Sequence, residues 1–166
     1  SIVMKLITIL FLIVSFTLSV KAEVVKEIIV NNNDRISLNT IKTYGSIEIG
    51  ANYTSDDLNN VLKNLYETNF FKDVSLKIQK NILIIDVIEN KLIQTINING
   101  IRSKNIKKAI RESLFLKTKA PFIESQVEKD LIRIKTSLSI EGYYFANVTI
   151  DFDENANNTV NLNINI

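Results

Sequence analysis

From residue 23 onward the chain writes one series of elements twice, which restricts it to two copies of a small unit. The first copy opens with the β-rich run Val24-Val25-Lys26-Glu27-Ile28-Ile29-Val30. Polar residues 31–35 make a turn, and Ser37 is placed to cap a short helix with Leu38, Ile41 and Tyr44 on one side, ended by Gly45. Thr54-Ser55-Asp56-Asp57 has the form of a capping box, and the helix it starts sets Leu58, Val61, Leu62 and Leu65 at helical spacing. Asn69 stops that helix. Phe70-Phe71 leads into a strand in which Val74, Leu76 and Ile78 alternate with Ser75 and Lys77. Gln79-Lys80-Asn81 turns the chain into the apolar run 82–88.

The second copy keeps this order. Residues 93–98 alternate as a strand, Asn99-Gly100 turns, and Ser103 caps a helix carrying Ile106, Ala109, Ile110 and Leu114. A second helix aligns Val127, Leu131, Ile134 and Leu138, with Gly142 as its stop. Tyr143-Tyr144 precedes a strand bearing Val148, Ile150 and Phe152, and residues 155–158 turn. In the last strand Val160, Leu162, Ile164 and Ile166 alternate inward while Asn161, Asn163 and Asn165 face outward. Leu58 matches Val127 and Asn69 matches Gly142, so the second copy gains four residues, about one helical turn, in its second helix. Each copy therefore reads as βααββ, an α+β unit in which two helices cover one face of a three-stranded sheet. The continuous run 82–88 suits a central strand, and the alternating 74–78 suits an edge. The expected boundaries are 1–22 for a leader, 23–90 for the first domain and 91–166 for the second.

Composition removes most chemistry. The chain has no His, Cys or Trp, so it can build no Ser-His-Asp or Cys-His nucleophile pair and no thiolate or imidazole metal site. Disulfides are excluded too, and catalysis is left to carboxylates, Lys, Tyr or Ser. The formal charge of +2 comes from Lys5 and Lys21; beyond residue 22, 18 basic residues balance 18 acidic ones, which argues against a nucleic-acid partner. Lys5, the apolar stretch 6–20 and Val20-Lys21-Ala22 describe a secretory signal peptide cleaved after Ala22, with Met4 as the start and the mature chain exported.

Several side chains invite sharper readings. Asp56, Asp57, Glu124 and Glu128 resemble paired catalytic carboxylates but belong at helix N-termini, where acids meet the helix dipole. Asp151, Asp153 and Glu154 lack the Gly-bearing loop of a hard-cation site and read as a solvated strand end. One aromatic of each pair, Phe70/Phe71 and Tyr143/Tyr144, is expected in the core.

The chain resembles two consecutive POTRA domains of the BamA-type family that assembles outer-membrane β-barrels. The stretch Val24-Val25-Lys26-Glu27-Ile28 with Arg35 is similar to that family's first repeat, and Asn69-Phe70-Phe71-Lys72-Asp73-Val74 resembles its helix-to-strand signature. Gly142-Tyr143-Tyr144 repeats the signature, and Ile98-Asn99-Gly100-Ile101-Arg102-Ser103 resembles the start of the second repeat. Asn69 stands where the family has Gly, and the junction Glu89-Asn90-Lys91-Leu92 lacks a customary Pro. The resemblance implies mixed three-stranded sheets, no enzymatic activity and no cofactor. It also implies further POTRA domains and a transmembrane barrel, through which alone the protein would meet the membrane.

Function follows from exposed strand edges, to which an extended segment adds through main-chain hydrogen bonds. The expected contact residues are Val74, Ser75, Leu76, Lys77 and Ile78 in the first copy. In the second they are Val148, Thr149, Ile150, Asp151 and Phe152. The side chains of Ser75, Lys77, Thr149 and Asp151 are expected to face solvent with free main chain between them, and a proline at Ser75 or Thr149 is expected to remove a donor to an added strand. Lys63 and Lys72 are candidate partner contacts. The implied partners are unfolded outer-membrane protein precursors, a periplasmic chaperone and assembly lipoproteins, met at the periplasmic face of the outer membrane. The arm of a two-partner secretion transporter and, remotely, a carboxylate-based periplasmic enzyme are the alternatives.

Overall fold

The computed structural model describes residues 21–166; the apolar stretch read as a leader lies outside them. The first unit runs β1 (Glu23–Val24), β2 (Glu27–Asn31), α1 (Leu38–Gly45), β3 (Asn52–Tyr53), α2 (Ser55–Glu67), β4 (Phe71–Gln79) and β5 (Ile82–Glu89). The second runs β6 (Leu92–Asn99), α3 (Lys104–Ser113), a 3-10 turn at Glu124–Gln126, α4 (Val127–Ile140), β7 (Thr149–Glu154) and β8 (Thr159–Asn165). The fold is α+β with two mixed three-stranded sheets, ordered β2-β5-β4 and β6-β8-β7. In each, the last strand in sequence lies at the centre, parallel to the first and antiparallel to the second.

The apolar run 82–88 takes the central place, paired with β2 along one edge and with β4 along the other. Leu83, Ile85 and Val87 point into the first core. In β8, Val160, Leu162 and Ile164 do the same, while the asparagines between them form amide ladders on the outer face. Asn97 donates to Asn163 and Asn99 to Asn165, and Asn163 and Asn165 donate in turn to Asp153 and Asp151. The two buried clusters share no residue. One is centred on Ile41, Leu65, Leu83 and Ile85, the other on Ile110, Ile134, Leu138 and Leu162.

The caps form as read. Ser37 and Ser103 accept the N–H groups of Thr40 and Ile106, and Thr54 and Asp57 complete a reciprocal capping box. The Thr54 N–H and then its hydroxyl donate to Asp57 and hold its carboxyl below the usual carboxylate range. Asn69 takes the left-handed conformation at φ 60°, the role Gly142 fills at 92°. At Gly142 the bonds from Tyr143 N–H to Leu138 and from Gly142 N–H to Ser139 make a Schellman stop.

Three expectations need correction. The opening strand is broken: Glu23–Val24 pairs with Asn52–Tyr53, and only Glu27–Asn31 joins the main sheet. The break arises because Val25 N–H bonds to Ala51 and Lys26 N–H to Asn81, turning the chain between the two pieces. Gly45 ends α1 as expected, and Ser46, at φ 54°, carries the left-handed cap. A Cβ on Gly45 would come within 2.9 Å of the Ile47 side chain, so Gly45 serves close packing. The helix α4 has 14 residues against 13 in α2, because the start of the longer segment tightens into the 3-10 turn. Last, Tyr143 and Tyr144 are both exposed; residues between Gly142 and Thr149 turn before any strand begins, and Ala146 and Val148 fill the core there. Phe71 is buried as expected, with Phe70 packed edge-on between it and Tyr44.

Two buried carboxylates secure the loops. Glu89 accepts the main-chain N–H groups of Asp34, Arg35 and Ile36, closing the β2–α1 loop onto the end of β5. Asp130, fully buried in α4, accepts the N–H groups of Phe115 and Leu116 at 2.8 and 2.9 Å and a guanidinium bond from Arg133.

Because the cores are separate, Leu65→Ala and Ile134→Ala should each destabilise only their own unit, by about 2–5 kcal/mol. Residue-resolved hydrogen exchange during denaturant titration reads this directly; loss of protection in both units from either change would mean one shared cooperative core.

Candidate functional site

The sheets of three strands leave β4 and β7 hydrogen-bonded on one side only. Which main-chain groups then face outward is set by the turns. Lys80 and Asn81 both have positive φ, 52° and 64°, and form a two-residue turn of the type that closes a hairpin on a hydrogen-bonded pair, here Gln79 with Ile82. Bonded and non-bonded pairs alternate along an antiparallel ladder, so Lys77 with Ile84 and Ser75 with Asp86 exchange bonds. Val74, Leu76 and Ile78 therefore turn their N–H and C=O groups away from β5. The Val74 N–H confirms the parity, since it donates at 3.0 Å to the hydroxyl of Tyr66 rather than to β5.

The second hairpin has the same parity. Asn155 N–H donates to Thr159, which makes 155–159 a bonded pair and places Thr149, Asp151 and Asp153 in the ladder with Asn165, Asn163 and Asn161. Ile150, Phe152 and Glu154 direct their main chains outward. This corrects the sequence-based expectation for Ser75 and Thr149. Their side chains are exposed, but their N–H groups are committed to the central strands. Val148 precedes β7 and is buried.

The opposite edge of the second sheet is covered. Residues 119–122 lie against the start of β6, with bonds from Ile93 N–H to Ala120, Lys119 N–H to Ile93 and Phe122 N–H to Lys91. Pro121 bridges Leu92 in this cover, a position where no donor is needed. Further along, the Arg111 guanidinium occupies the Ile96 carbonyl at 2.7 Å.

Side chains give β4 and β7 net charges of opposite sign. β4 carries exposed Lys72, Asp73 and Lys77, one net positive charge, whereas β7 carries exposed Asp151, Asp153 and Glu154. A cleft of about 530 Å³ joins the base of both, lined among others by Phe71, Lys72, Ile88, Lys91, Phe122 and Phe152. Phe122 and Phe152 pack with ring centroids 5.0 Å apart. At its rim Lys91 bonds Glu154 at 2.6 Å; that bond and the ammonium charge, with a smaller contribution from Lys72, hold the Glu154 carboxyl below its usual range. Lys63 is exposed on α2, 3.8 Å from Glu67, and is not brought to either edge strand.

The carboxylates suspected of catalysis are dispersed. Asp57 serves the capping box, Glu124 lies in the 3-10 turn and Glu128 in the first turn of α4. Tyr66 is the site residue that sequence reasoning missed. Its hydroxyl accepts from Val74 and donates to Asp73 at 2.8 Å. The Val74 bond lowers its pKa, but the Asp73 carboxylate and partial burial outweigh it, so the hydroxyl titrates above its usual value and stays protonated at neutral pH.

Comparisons with known proteins agree with this architecture. Residues 92–166 match the POTRA family, described as a surface antigen variable number repeat. The chain is 29% identical over 115 residues to the outer membrane protein assembly factor BamA of Neorickettsia risticii, covering 69% of this chain and 15% of that protein. It is 26% identical over 145 residues to BamA of Neisseria meningitidis serogroup B, covering 86% of this chain and 18% of that protein. The chain thus spans less than a fifth of the length of these curated relatives. Among solved structures, the N-terminal domain of Omp85 from Thermosynechococcus elongatus superposes with a TM-score of 0.57 at 13% identity, over 87% of this chain and 63% of that one.

The ladder parity is open to test by stability alone. Ser75→Pro should cost about 1–3 kcal/mol, because the facing carbonyl of Asp86 loses its donor. Leu76→Pro should cost no more than Leu76→Ala, since the Leu76 N–H has no ladder partner. Equal costs for the two prolines in thermal melts would refute the assigned parity.

Proposed function

We propose that this POTRA-domain relative of BamA forms part of a periplasmic arm that receives unfolded outer-membrane β-barrel precursors, with residues 23–90 and 91–166 as two successive domains. The observation that carries the reading is the pair of open edges, β4 and β7, each presenting main-chain donors and acceptors at alternate residues. A precursor strand is extended, varied in sequence and short of main-chain partners. Addition to an open edge satisfies those groups with little demand on side chains.

The outward register lends the edges selectivity. Outward main chains belong to Val74, Leu76 and Ile78 on one edge and Ile150 and Phe152 on the other, whose side chains lean toward the helices. An added strand in the same pleat would place its apolar residues beside these and its polar residues beside Ser75, Lys77, Asp151 and Asp153. That alternation is the pattern of a barrel strand. The opposite charges of the two edges favour acidic outer faces at β4 and basic ones at β7. Assembly lipoproteins and a periplasmic chaperone are proposed to dock on the remaining exposed surface, with Lys63 and Lys72 as candidate contacts.

The test uses peptides of alternating apolar and polar residues, followed by NMR. Leu76→Pro should weaken binding at β4, and Phe152→Pro at β7, by about tenfold, the worth of roughly one main-chain hydrogen bond. Leu76→Ala and Phe152→Ala supply the baseline for side-chain loss. If each proline variant binds as its alanine counterpart does, recognition runs through side chains and strand addition is wrong.

A further inference from the structure

We infer that Tyr66 is a register stop on the β4 edge: its hydroxyl occupies the outward N–H of Val74, confining strand addition there to Leu76 and Ile78 and leaving β7 the more open edge. The inference rests on the strand-addition reading proposed above.

The geometry is specific. Tyr66 lies in the last turn of α2, over one face of the sheet, yet its ring reaches the rim of β4. There the hydroxyl accepts the Val74 N–H at 3.0 Å and gives its single proton to the Asp73 carboxylate at 2.8 Å. The Val74 carbonyl lies 3.5 Å from the same oxygen, so both outward groups of this residue face the tyrosine. An incoming strand needs that N–H for its own carbonyl and that space for its own backbone. It must displace the ring or begin beyond it. A register bulge between Phe71 and Asp73 lies just before the plug, so regular pairing on the inner side also starts at this point. Tyr66 thus marks the beginning of the usable edge, and the two residues beyond it fix the register of anything that pairs there.

The second unit has no counterpart among the described residues. Aligned from the helix stop, Asn69 with Gly142, Tyr66 corresponds to Ser139, whose hydroxyl turns back to the Lys135 carbonyl. No side chain of the described residues hydrogen-bonds the main chain of Ile150 or Phe152. One edge is partly stoppered and the other is not, which allows the two domains to take different lengths of the same client strand.

Tyr66→Phe removes one oxygen and keeps the ring, so the fold should persist, as a thermal melt will verify. The Val74 amide should exchange with solvent faster in this variant, while the ladder amides of Ser75 and Lys77 keep their protection; unchanged Val74 exchange would overturn the plug. In NMR titration with the alternating peptide, the wild-type footprint on β4 should cover 76–78 and spare Val74. In Tyr66→Phe it should extend to Val74, with affinity at β4 raised about three- to tenfold and β7 unaffected. A peptide that perturbs Val74 equally in both proteins, or binds both with the same footprint and affinity, refutes the register stop and leaves strand addition standing. A peptide that binds neither edge in either protein overturns strand addition, and the register stop with it.

Discussion

A sheet of three strands hydrogen-bonds its central member on both sides and its outer members on one, leaving a row of main-chain donors and acceptors along each margin. Those groups need a partner, water included, because an unpaired amide buried elsewhere is costly. The rest of this structure is arranged around that constraint. In the second unit one margin is covered at its start by residues 119–122 and at the Ile96 carbonyl by Arg111. The other margin, β7, is left to solvent. In the first unit β4 is likewise open, apart from the hydroxyl of Tyr66 at its start.

Holding an edge open requires that the strand behind it be firm. The central strands β5 and β8 provide this through their fully buried apolar faces. The loops are fixed by charge rather than by glycine or disulfides. Glu89 gathers three main-chain N–H groups and Asp130 two, each carboxylate supplying the acceptor that a buried loop lacks. A chain without cysteine and with four glycines can thus keep two small units rigid. Asn69, Asn81 and Asn158 adopt left-handed conformations in stops and turns where glycine is the usual choice.

Most of the fold was legible because it is periodic. The alternation from Val160 to Asn165, the helical stripe of Val61 and Leu65, and the Thr54–Asp57 box are local patterns with one physical reading each. The parity of the open edges was not legible, and the reason is a single residue. Reading Gln79 into the turn makes it three residues long, whereas the chain turns on Lys80 and Asn81 alone, and moving one residue reverses which amides face outward. Glu89 and Asp130 escaped notice because their partners lie more than 50 and about 15 residues away in sequence. Tyr66 was hidden differently: by spacing it is an ordinary half-exposed helical residue, and its reach to Val74 depends on how α2 lies over the sheet. Tyr143 and Tyr144 misled by analogy with Phe70 and Phe71, since the segment after Gly142 makes a turn at 144–145 before its strand begins.

Strand addition as proposed requires alternate residues of β4 and β7 to hold main chain free to pair with an incoming strand. Residue-resolved amide exchange, with and without an alternating barrel-strand peptide, measures this most directly. Leu76, Ile78, Ile150 and Phe152 should exchange fast in the free protein and become protected on binding, while Ser75, Lys77, Thr149 and Asp151 stay protected throughout. Protection of the first set in the free protein, or no gain when the peptide is bound, would contradict it.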